Sequence, residues 1–354
     1  MTIVIHDEPL RSLHRYRGVG EYTAGLIDAL TRYQHTHRII RSSSTQSVSE
    51  KIDIDHYTVF DLYNRTLPLF KKRKLVLTIH DLIPLKFPMR FPVGIRGLIN
   101  LQYQKLALRS ADAIITDSQS SKEDIVSLLG ISPEKVHVVY LATGKEYRKL
   151  RNEEIIKLGL EKKYSLPAHY LLYVGDVNWN KNLEGLLRAF ADFRVKKNSK
   201  LVLVGKAFEE KDLPEVRKAR QYIHSNGLVK DVISLGYVPT ESLVGIINRA
   251  IVLIQPSYYE GFGLPALEAM QCGIPVIAGN CGSLPEVVGD AGLLVNPYDS
   301  GDIGNALIKV EEYTSRQRQA MIERGIRQAR KFSWKKTAEE TIRVYEKCFD
   351  ATNY

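Results

Sequence analysis

The sequence predicts an α/β protein built from two doubly wound domains, and three observations support this. The chain has 354 residues, enough for two domains with a full core each. Short apolar runs alternate with helix-forming stretches in two separate series. A charged stretch without a strand signal separates the series. We therefore expect a first domain over residues 1–150, a linker over 151–168, a second domain over 169–335 and a final helical segment over 336–354.

Composition and charge restrict the class of protein. A hydrophobic content of 44% and a charged content of 25% are typical of a soluble globular chain. The three cysteines lack zinc-ligand spacing and indicate a reducing compartment. The first residues predict a strand rather than a signal peptide, so we expect a cytoplasmic protein. The net charge of +10 suits nucleic acid, phosphate-bearing substrates or an anionic membrane surface. The sequence contains no recognisable nucleic-acid-binding module, so the last two are favoured.

The first series begins with a strand over 2–5, a glycine turn at Gly18 and Gly20, and a helix over 21–32. A glycine turn after a strand is where α/β sheets hold phosphates, although an ordinary tight turn explains it equally well. Gly25 comes too late to complete a dinucleotide-binding pattern. Further strands are expected over 75–79, 113–116 and 136–140.

Two stretches of the first series have more than one interpretation. His80 and Asp81 follow the strand over 75–79, at the end where α/β sheets gather ligands. A half-buried, satisfied imidazole with Asp81 capping a turn is the alternative. Residues 86–109 mix apolar and basic side chains, which suits an anionic membrane surface. A solvated helix whose apolar stripe packs in the core explains this stretch as well.

The second series predicts strands over 170–174, 201–204, 232–235, 250–254, 276–278 and 292–295. Helices are expected over 183–193, 242–248 and 266–272, and the last one over 337–348. Lys181 lies in the loop after the strand over 170–174, just before a helix, and is the best-placed cation in this half.

The second series is organised around residues 255–279. A glycine-rich turn, Glu260-Gly261-Phe262-Gly263, leads into a helix with Pro265 in its first turn. Free amides at a helix start attract anions, and glycines let a ligand approach the backbone. Glu260 and Glu268, with seven residues between them, flank this anion site. A carboxylate beside a diphosphate is repulsive, so both glutamates would need neutral partners such as sugar hydroxyls. A nucleotide-sugar has a diphosphate in the middle and polyols at both ends, and it therefore fits this site. Taken singly, Glu268 could complement the helix dipole and Glu260 could be a solvated loop charge.

This segment closely resembles the paired-glutamate signature of retaining family-4 glycosyltransferases, also called glycosyl transferases group 1. The Thr-Ile-His-Asp-Leu-Ile-Pro string that contains His80 is similar to the N-terminal-domain motif of that family. The resemblance implies the GT-B fold, in which two Rossmann-like domains face each other across a cleft. It also implies that the first domain binds the acceptor, that the second binds the nucleotide-sugar, and that the last helix crosses back to the first.

The resemblance and the chemistry together assign roles to individual residues. The expected catalytic residues are His80 at the donor sugar, Lys181 at the departing diphosphate and Glu260 at the sugar hydroxyls. Arg17 and Tyr22 are expected to bind the acceptor. The expected donor-binding residues are Gly18, Gly20, Lys206, Tyr237, Val238, Glu260, Gly261, Phe262, Gly263, Leu264 and Glu268.

The sequence departs from the family pattern at two positions. Asp176 stands where the family usually carries Arg, and Asn180 stands where a second basic residue often accompanies the lysine. Lys206, which follows Gly205, is the candidate for the second positive charge. Asp53-Ile54-Asp55 matches a metal-binding pattern, but we interpret it as a loop or strand edge. No metal or other cofactor is expected, because Lys181 and backbone amides can neutralise the leaving group.

The function implied is transfer of a sugar, with retention, from a nucleoside-diphosphate sugar to a glycan or lipid-phosphate-linked acceptor. GDP-mannose is the first candidate donor, because the motifs are similar to mannosyltransferase-like members, and UDP- and dTDP-sugars remain alternatives. Such an enzyme would serve polysaccharide or glycolipid biosynthesis at the cytoplasmic membrane face. A GT-B nucleotide-sugar epimerase and a non-catalytic nucleotide-sugar-binding subunit are the competing hypotheses.

Overall fold

The computed structural model describes residues 1–11, 18–43 and 51–350. The chain divides into two compact units: unit 1 is Met1–Ala142 with Phe332–Tyr354, and unit 2 is Thr143–Lys331. Each unit contains one parallel six-stranded sheet and several helices, which confirms the predicted α/β class. The stretch 151–168, expected as a linker, belongs to unit 2 and contains two short helices, Asn152–Lys157 and Leu160–Tyr164.

The two sheets have different strand orders, β2-β1-β3-β4-β5-β6 in unit 1 and β12-β11-β10-β7-β8-β9 in unit 2. The strands of unit 1 are β1 (Thr2–His6), β2 (Arg38–Arg41), β3 (Ile54–Tyr57), β4 (Lys74–Thr78), β5 (Ala113–Thr116) and β6 (Val136–Val138). The strands of unit 2 are β7 (Tyr170–Val174), β8 (Lys200–Val204), β9 (Val232–Ser234), β10 (Val252–Gln255), β11 (Val276–Gly279) and β12 (Leu293–Val295).

The helices follow the strands in alternation. In unit 1 they are α1 (Gly18–Tyr33), α2 (Ile83–Lys86), α3 (Ile95–Leu108) and α4 (Gln119–Leu129). In unit 2 they are α5 (Asn152–Lys157), α6 (Leu160–Tyr164), α7 (Leu183–Lys196), α8 (Pro214–Ser225), α9 (Thr240–Arg249), α10 (Leu264–Gln271), α11 (Leu284–Val288), α12 (Ser300–Glu311) and α13 (Ser315–Ala329). The last helix, α14 (Trp334–Asp350), belongs to unit 1. No described helix is both long enough and apolar enough to cross a membrane.

The central strands are apolar because helices cover both faces of a parallel sheet. All residues of β5 and β10 are buried, for example, and the central strand β7 is buried except at its last residue. Long apolar side chains from α7 and α12 pack with this sheet in the core of unit 2. Such burial contributes roughly 1.5–3 kcal/mol for each large side chain, so the two cores hold the strand ends in fixed positions.

Two strands of unit 1, β2 and β3, were not predicted. Asp53-Ile54-Asp55 was expected as a loop or strand edge, yet β3 lies inside the sheet between β1 and β4. The two aspartates have partners in the fold: Asp55, in β3, accepts hydrogen bonds from Arg73 at 3.1 and 3.2 Å, and Asp53, just before β3, accepts one from the Thr2 amide at 2.9 Å. These partners explain how a polar sequence can occupy an inner strand.

The expected glycine turn before α1 is wrong in the structure. Gly18 and Gly20 are the first and third residues of α1, so they lie in the first turn of the helix. Gly25, further along α1, has a packing role: a Cβ there would lie 2.2 Å from the indole ring of Trp334. The absence of a side chain at Gly25 therefore lets α14 pack closely on α1.

Further contacts fix α14 within unit 1. The Thr337 hydroxyl donates to the Tyr140 carbonyl at 2.8 Å, and the ring of Phe332 meets that of Tyr140 edge-on. Residues of α14 also lie against β4 and β5. The C-terminal helix is therefore part of the core of unit 1.

Candidate active site

The strand order of unit 2 reverses between β7 and β10, and this point positions the main candidate site. From β7 the chain proceeds to β8 and β9 on one side, and from β10 to β11 and β12 on the other. In open α/β sheets, ligands bind in the crevice at the carboxyl ends of the strands where the order reverses. Lys181 ends a short 3₁₀ helix, Trp179–Lys181, in the loop after β7, and Glu260 lies in the loop between β10 and α10.

Glu260 is buried and holds Lys181 in an ion pair. Lys181 Nζ donates to both carboxylate oxygens at 2.8 Å. The Ser257 hydroxyl and the Gln255 amide also donate to Oε1, at 2.6 and 3.0 Å. Among the described residues, Lys181 is the only donor of a hydrogen bond to Glu260 Oε2. A carboxylate can accept about four hydrogen bonds, so Oε2 keeps capacity for one more donor.

Two asparagines bind the loop after β7 to the loop after β10. Asn180 accepts from the Tyr258 amide at 2.8 Å through its carbonyl, and its side-chain amide donates to the Tyr259 carbonyl at 3.0 Å. Asn182 has a left-handed backbone with φ of 53° and caps α7 through Gly185. Its side-chain amide also donates to the Pro256 carbonyl at 2.9 Å. These bonds hold Lys181 beside Glu260.

The start of α10 is built by a glycine and a glutamine. Gly263 has φ of 103°, and a Cβ there would lie 2.6 Å from Leu284 Cδ2, so a side chain is disfavoured twice. Gln255 accepts from the Ala266 amide at 3.1 Å while its own amide donates to Glu260, so it links the helix start to the carboxylate. Within the described chain, the backbone amides of Gly263 and Leu264 donate no hydrogen bond to a protein acceptor.

The other expected donor-binding residues have varied surroundings. Glu268 is buried on α10, one turn before Cys272, while Val238 is buried and Tyr237 is exposed. The Tyr237 amide donates to Glu209 at 2.8 Å. Lys206 is exposed after β8, the neighbour of β7. The structure therefore joins Lys181, Glu260 and the α10 start.

Unit 1 contains a second polar group, centred on His80. His80 Nδ1 lies 2.6 Å from Asp117 Oδ2, and Nε2 lies 3.3 Å from the Thr58 carbonyl. Burial lowers the pKa of His80, but Asp117, Asp81 and the Thr58 carbonyl together outweigh it, so the net shift is upward. Burial raises the pKa of Asp117, and the charge of His80 opposes that rise.

Of the two residues expected to bind the acceptor, Arg17 and Tyr22, the structure describes only Tyr22. Arg17 lies outside the described residues. Tyr22 is buried, and its hydroxyl lies 2.9 Å from Thr78 Oγ1, while its ring meets His80 edge-on at 4.7 Å. Tyr22 therefore packs against the ring of His80 and has almost no exposed surface that could contact an acceptor. The expectation for Tyr22 is corrected accordingly.

A buried chain of polar side chains continues from Tyr22 to α14. Thr78 Oγ1 lies 2.8 Å from His56 Nε2, and His56 Nδ1 lies 2.6 Å from the Tyr345 hydroxyl. Burial lowers the pKa of His56 to about 3, so this histidine is neutral. The last helix is thus connected to His80 through side chains that are all inside unit 1.

Among the described residues, no group of three or more His, Cys, Asp or Glu side chains could hold a metal ion. Asp53 and Asp55 make the structural contacts given above, with Thr2 and Arg73.

Comparison with known proteins identifies the family. A family model described as glycosyl transferases group 1 matches residues 153–328, and one described as Glycosyltransferase Family 4 matches residues 49–143. The chain is 33% identical over 278 residues to the O-antigen chain mannosyltransferase B of Escherichia coli, covering 77% of this chain and 70% of that protein. The chain belongs to the group 1, family-4 glycosyltransferases.

A second relative of this glycosyltransferase is much longer. The serotype-specific mannosyltransferase WbdA of Escherichia coli is 30% identical over 342 residues, which cover 92% of this chain and 41% of that protein. The chain therefore spans less than half the length of this relative.

Solved structures confirm the GT-B fold. Sucrose-phosphate synthase from Thermosynechococcus elongatus matches with a TM-score of 0.76 at 21% identity, over 99% of this chain and all of that chain (100%). Anabaena HepE in complex with UDP and glucose matches with a TM-score of 0.74 at 18% identity, over 98% of this chain and 100% of that chain.

Several residues of the glycosyltransferase that shape these sites were missed in the sequence. No individual role was predicted for Asn182, Gln255 or Ser257. No role was predicted for Asp117 either; it precedes Ser118, which caps α4 by accepting from the Ser121 amide at 3.0 Å. A usable signal existed for Asp117: it follows a buried strand, as His80 does, and parallel neighbours bring such residues to one edge.

Proposed function

We propose that this glycosyltransferase transfers a sugar, with retention, from a nucleoside-diphosphate sugar bound by unit 2 to a hydroxyl of a glycan or lipid-phosphate-linked acceptor. One observation carries the proposal: the Lys181–Glu260 pair lies at the strand-order reversal and is linked through Gln255 to the start of α10. Cationic and amide donors at this position suit a diphosphate. Carboxylates suit the hydroxyls on either side of it.

The barrier to this reaction is charge separation between a departing diphosphate and a cationic anomeric carbon. Lys181 has three N–H donors, of which Glu260 takes two, and its side chain is 20% exposed. The third donor is therefore assigned to the diphosphate, together with the amides of Gly263 and Leu264. Donors fixed before the reaction stabilise the developing charge without reorganisation. On this account the reaction needs no metal ion.

The two glutamates are assigned to the polyols. Glu260 Oε2 keeps capacity for one hydrogen bond beside Lys181, which supports a contact with a donor-sugar hydroxyl. Glu268, on α10, is assigned to the ribose diol. His80 is assigned to the sugar substrate from unit 1. These roles follow from the family resemblance together with the geometry of each unit.

The proposed donor is GDP-mannose. The names of relatives at 30–33% identity, the O-antigen chain mannosyltransferase B and WbdA, support mannose as the transferred sugar. UDP-sugars are the alternative that the HepE complexes with UDP support. An O-antigen-like polysaccharide or its lipid-linked precursor is the corresponding acceptor.

We propose further that unit 1 contacts an anionic membrane surface through α3. The buried face of α3 includes Leu101 and Ala107, so the alternative of a purely core-facing apolar stripe does not account for the other side. There the helix exposes Ile95, Leu98, Ile99 and Leu106, with Ile95 at 79% exposure. From residue 82 to residue 111 the sequence has basic residues and no Asp or Glu. An apolar stripe with a basic flank suits anionic lipid.

Sedimentation with lipid vesicles tests the membrane contact. The protein should sediment with vesicles containing phosphatidylglycerol and stay in solution with phosphatidylcholine alone. Ile99→Glu should abolish sedimentation, because it places an acid on the exposed stripe. Val229→Glu is the matched control, since Val229 is 61% exposed in unit 2. Equal loss in both variants, or no sedimentation of the wild type, would reject this contact.

Product analysis tests the transferase function. Purified protein is incubated with GDP-mannose, and in parallel with UDP- and dTDP-sugars, with and without a mannose-containing lipid-linked acceptor. The proposal requires transfer that depends on acceptor and gives an α-linked product by NMR. An altered sugar formed from donor alone would indicate an epimerase instead. Binding of donor without turnover, and without an effect of Lys181→Ala on any product, would indicate a non-catalytic subunit.

A further inference from the structure

The His80–Asp117 pair carries an inference about how unit 1 presents its histidine. The two residues follow neighbouring parallel strands, β4 and β5, so their side chains meet at the same edge of the sheet. Asp117 is almost completely enclosed, with a side chain 3% exposed, whereas the His80 side chain is 17% exposed. Within the described part of the chain, Asp117 Oδ1 has no hydrogen-bond partner. Among the described residues, His80 is therefore the only side chain that hydrogen-bonds to this carboxylate.

The hydrogen bonds decide where the ring protons lie. A carbonyl oxygen can only accept, so the Nε2 atom facing the Thr58 carbonyl carries a proton. Nδ1 lies 2.6 Å from a carboxylate oxygen, and charge-assisted hydrogen bonds are shorter than neutral ones. With Asp117 ionised, Nδ1 must carry a proton as well. His80 is then an imidazolium, and the buried pair as a whole is neutral.

The remaining groups near His80 are compatible with this charge. Asp81, next to it in the chain, also raises the pKa of His80, though less than Asp117, and burial acts in the opposite direction. His56 is neutral, because burial lowers its pKa to about 3. The rings of Tyr22 and His80 are nearly perpendicular to each other, and the Tyr22 hydroxyl lies beside that of Thr78.

We infer that Asp117 is the positioning residue for His80, and that it makes His80 a charged hydrogen-bond donor to a sugar hydroxyl. Asp117 fixes the ring through Nδ1, which leaves Nε2–H as the group that a ligand can reach. The existing Nε2 contact with Thr58 is long, at 3.3 Å, so a ligand oxygen can replace it. Because both ring nitrogens carry protons, His80 cannot act as a general base. The identity of the ligand rests on the proposed function; the state of the ring does not.

NMR of isotope-labelled histidine tests the state of the ring without substrate. In the wild type, both ring nitrogens of His80 should be protonated at about pH 7. In Asp117→Asn the imidazole should be neutral at that pH, because burial then acts without the compensating carboxylate. Asp112→Asn is the matched control: it removes a carboxylate at the opposite end of β5, where Asp112 contacts Lys71. A neutral ring in the wild type, or an unchanged ring in Asp117→Asn, would overturn the inference.

Kinetics then separate positioning from a merely structural role. Asp117→Asn should lower kcat/KM by at least about tenfold at neutral pH, an interaction loss of about 1.4 kcal/mol. The loss should shrink as the pH falls, because His80 regains its proton. Asp112→Asn should keep both the rate and its pH profile. A loss in Asp117→Asn that is equal at every pH would contradict the role. If the wild type shows no transfer at all, the proposed function fails while the NMR result still decides the inference.

Discussion

The two units each place a buried carboxylate and a basic side chain at the carboxyl ends of neighbouring strands, but they hold these pairs differently. In unit 2, Glu260 accepts from Lys181, Gln255 and Ser257, and nearby asparagines fix the Lys181 loop. In the part of unit 1 that the structure describes, Asp117 has one side-chain hydrogen-bond partner, His80. The comparison shows that the unit 2 pair is fixed by many donors, whereas the unit 1 pair depends on a proton.

Other histidines of unit 1 also have a charge that depends on their surroundings. His6, His56, His80 and His137 all have displaced pKa values, and all four lie in this unit. Histidine changes charge near neutral pH, so its surroundings decide the charge under ordinary conditions. We therefore expect the pH dependence of stability near neutral pH to arise mainly in unit 1. The predictions that follow test this contrast, from the largest effect to the smallest.

Lys181→Met should destabilise unit 2 by about 3–5 kcal/mol and abolish transfer. It leaves the Glu260 carboxylate buried without its cation, the costly way to break a buried pair. The double variant Lys181→Met with Glu260→Gln should recover most of that stability and no activity. Urea denaturation and the transfer assay measure the two effects. A single variant as stable as the wild type would show that the pair is not fixed as described.

Asp117→Asn should cost unit 1 much less stability than Lys181→Met costs unit 2. His80 can release its proton when its partner is neutral, whereas Lys181→Met leaves the Glu260 carboxylate buried without its cation. This asymmetry follows directly from the two kinds of pair. Equal destabilisation of the two units, measured side by side in urea, would remove the distinction.

Gly263→Ala should destabilise unit 2 by about 2–5 kcal/mol. A positive φ costs a residue with Cβ roughly 1–2 kcal/mol, and overpacking against Leu284 adds about 1–3 kcal/mol. Gly301→Ala is a suitable control, because a Cβ there meets only Asp299 Oδ1 at 3.1 Å on the surface. Thermal unfolding measures both. A neutral effect at Gly263 would mean that the start of α10 is less constrained than its geometry indicates.

Ser257→Ala should destabilise unit 2 by about 1.5–3 kcal/mol, the usual range for a hydrogen bond to a charged group. Lys181 and Gln255 remain, so the carboxylate keeps its cation and the fold is retained. Transfer should fall less than in Lys181→Met. A larger loss of transfer in Ser257→Ala than in Lys181→Met would show that Ser257 is the more important of these two donors to Glu260.

The pH dependence of stability should show a contribution from His6. Burial alone would lower the pKa of His6, but hydrogen bonds to Asp55 and Glu8 outweigh it and raise the pKa from 6.5 to about 8. The contribution is therefore fully present below pH 6.5 and is lost as the pH rises through 8. It amounts to at most about 2 kcal/mol. His6→Gln should flatten this part of the stability profile, and an unchanged slope would exclude the contribution.

Local signals in the sequence were enough to predict most of the fold. The strands of unit 2 are continuous apolar runs, and the predicted strand over 170–174 coincides with β7. Glu260 and Lys181 could be singled out because glycines, a helix start and strand ends mark their positions along the chain. The two polar strands, β2 and β3, were missed because their residues are satisfied by partners far away in sequence, such as Arg73 for Asp55.

The remaining site residues depend on which strands are neighbours. Asp117 becomes the partner of His80 only because β5 pairs with β4. Gln255 becomes a link between Glu260 and α10 only when the chain has folded over its own strand end. Gly25 was judged against a phosphate-binding pattern, while its actual role is to admit Trp334. None of these relations has a fixed spacing that a single sequence could reveal.

Isothermal titration of nucleotide-sugars tests the central claim most directly. Wild-type protein should bind GDP-mannose or another nucleoside-diphosphate sugar saturably. Lys181→Met should weaken binding of the sugar donor and of the nucleoside diphosphate alone by at least about tenfold, or 1.4 kcal/mol. Glu260→Gln should weaken the complete donor and spare the nucleoside diphosphate. Binding of the donor that is unchanged in both variants, or no binding of any nucleotide-sugar, would contradict the account.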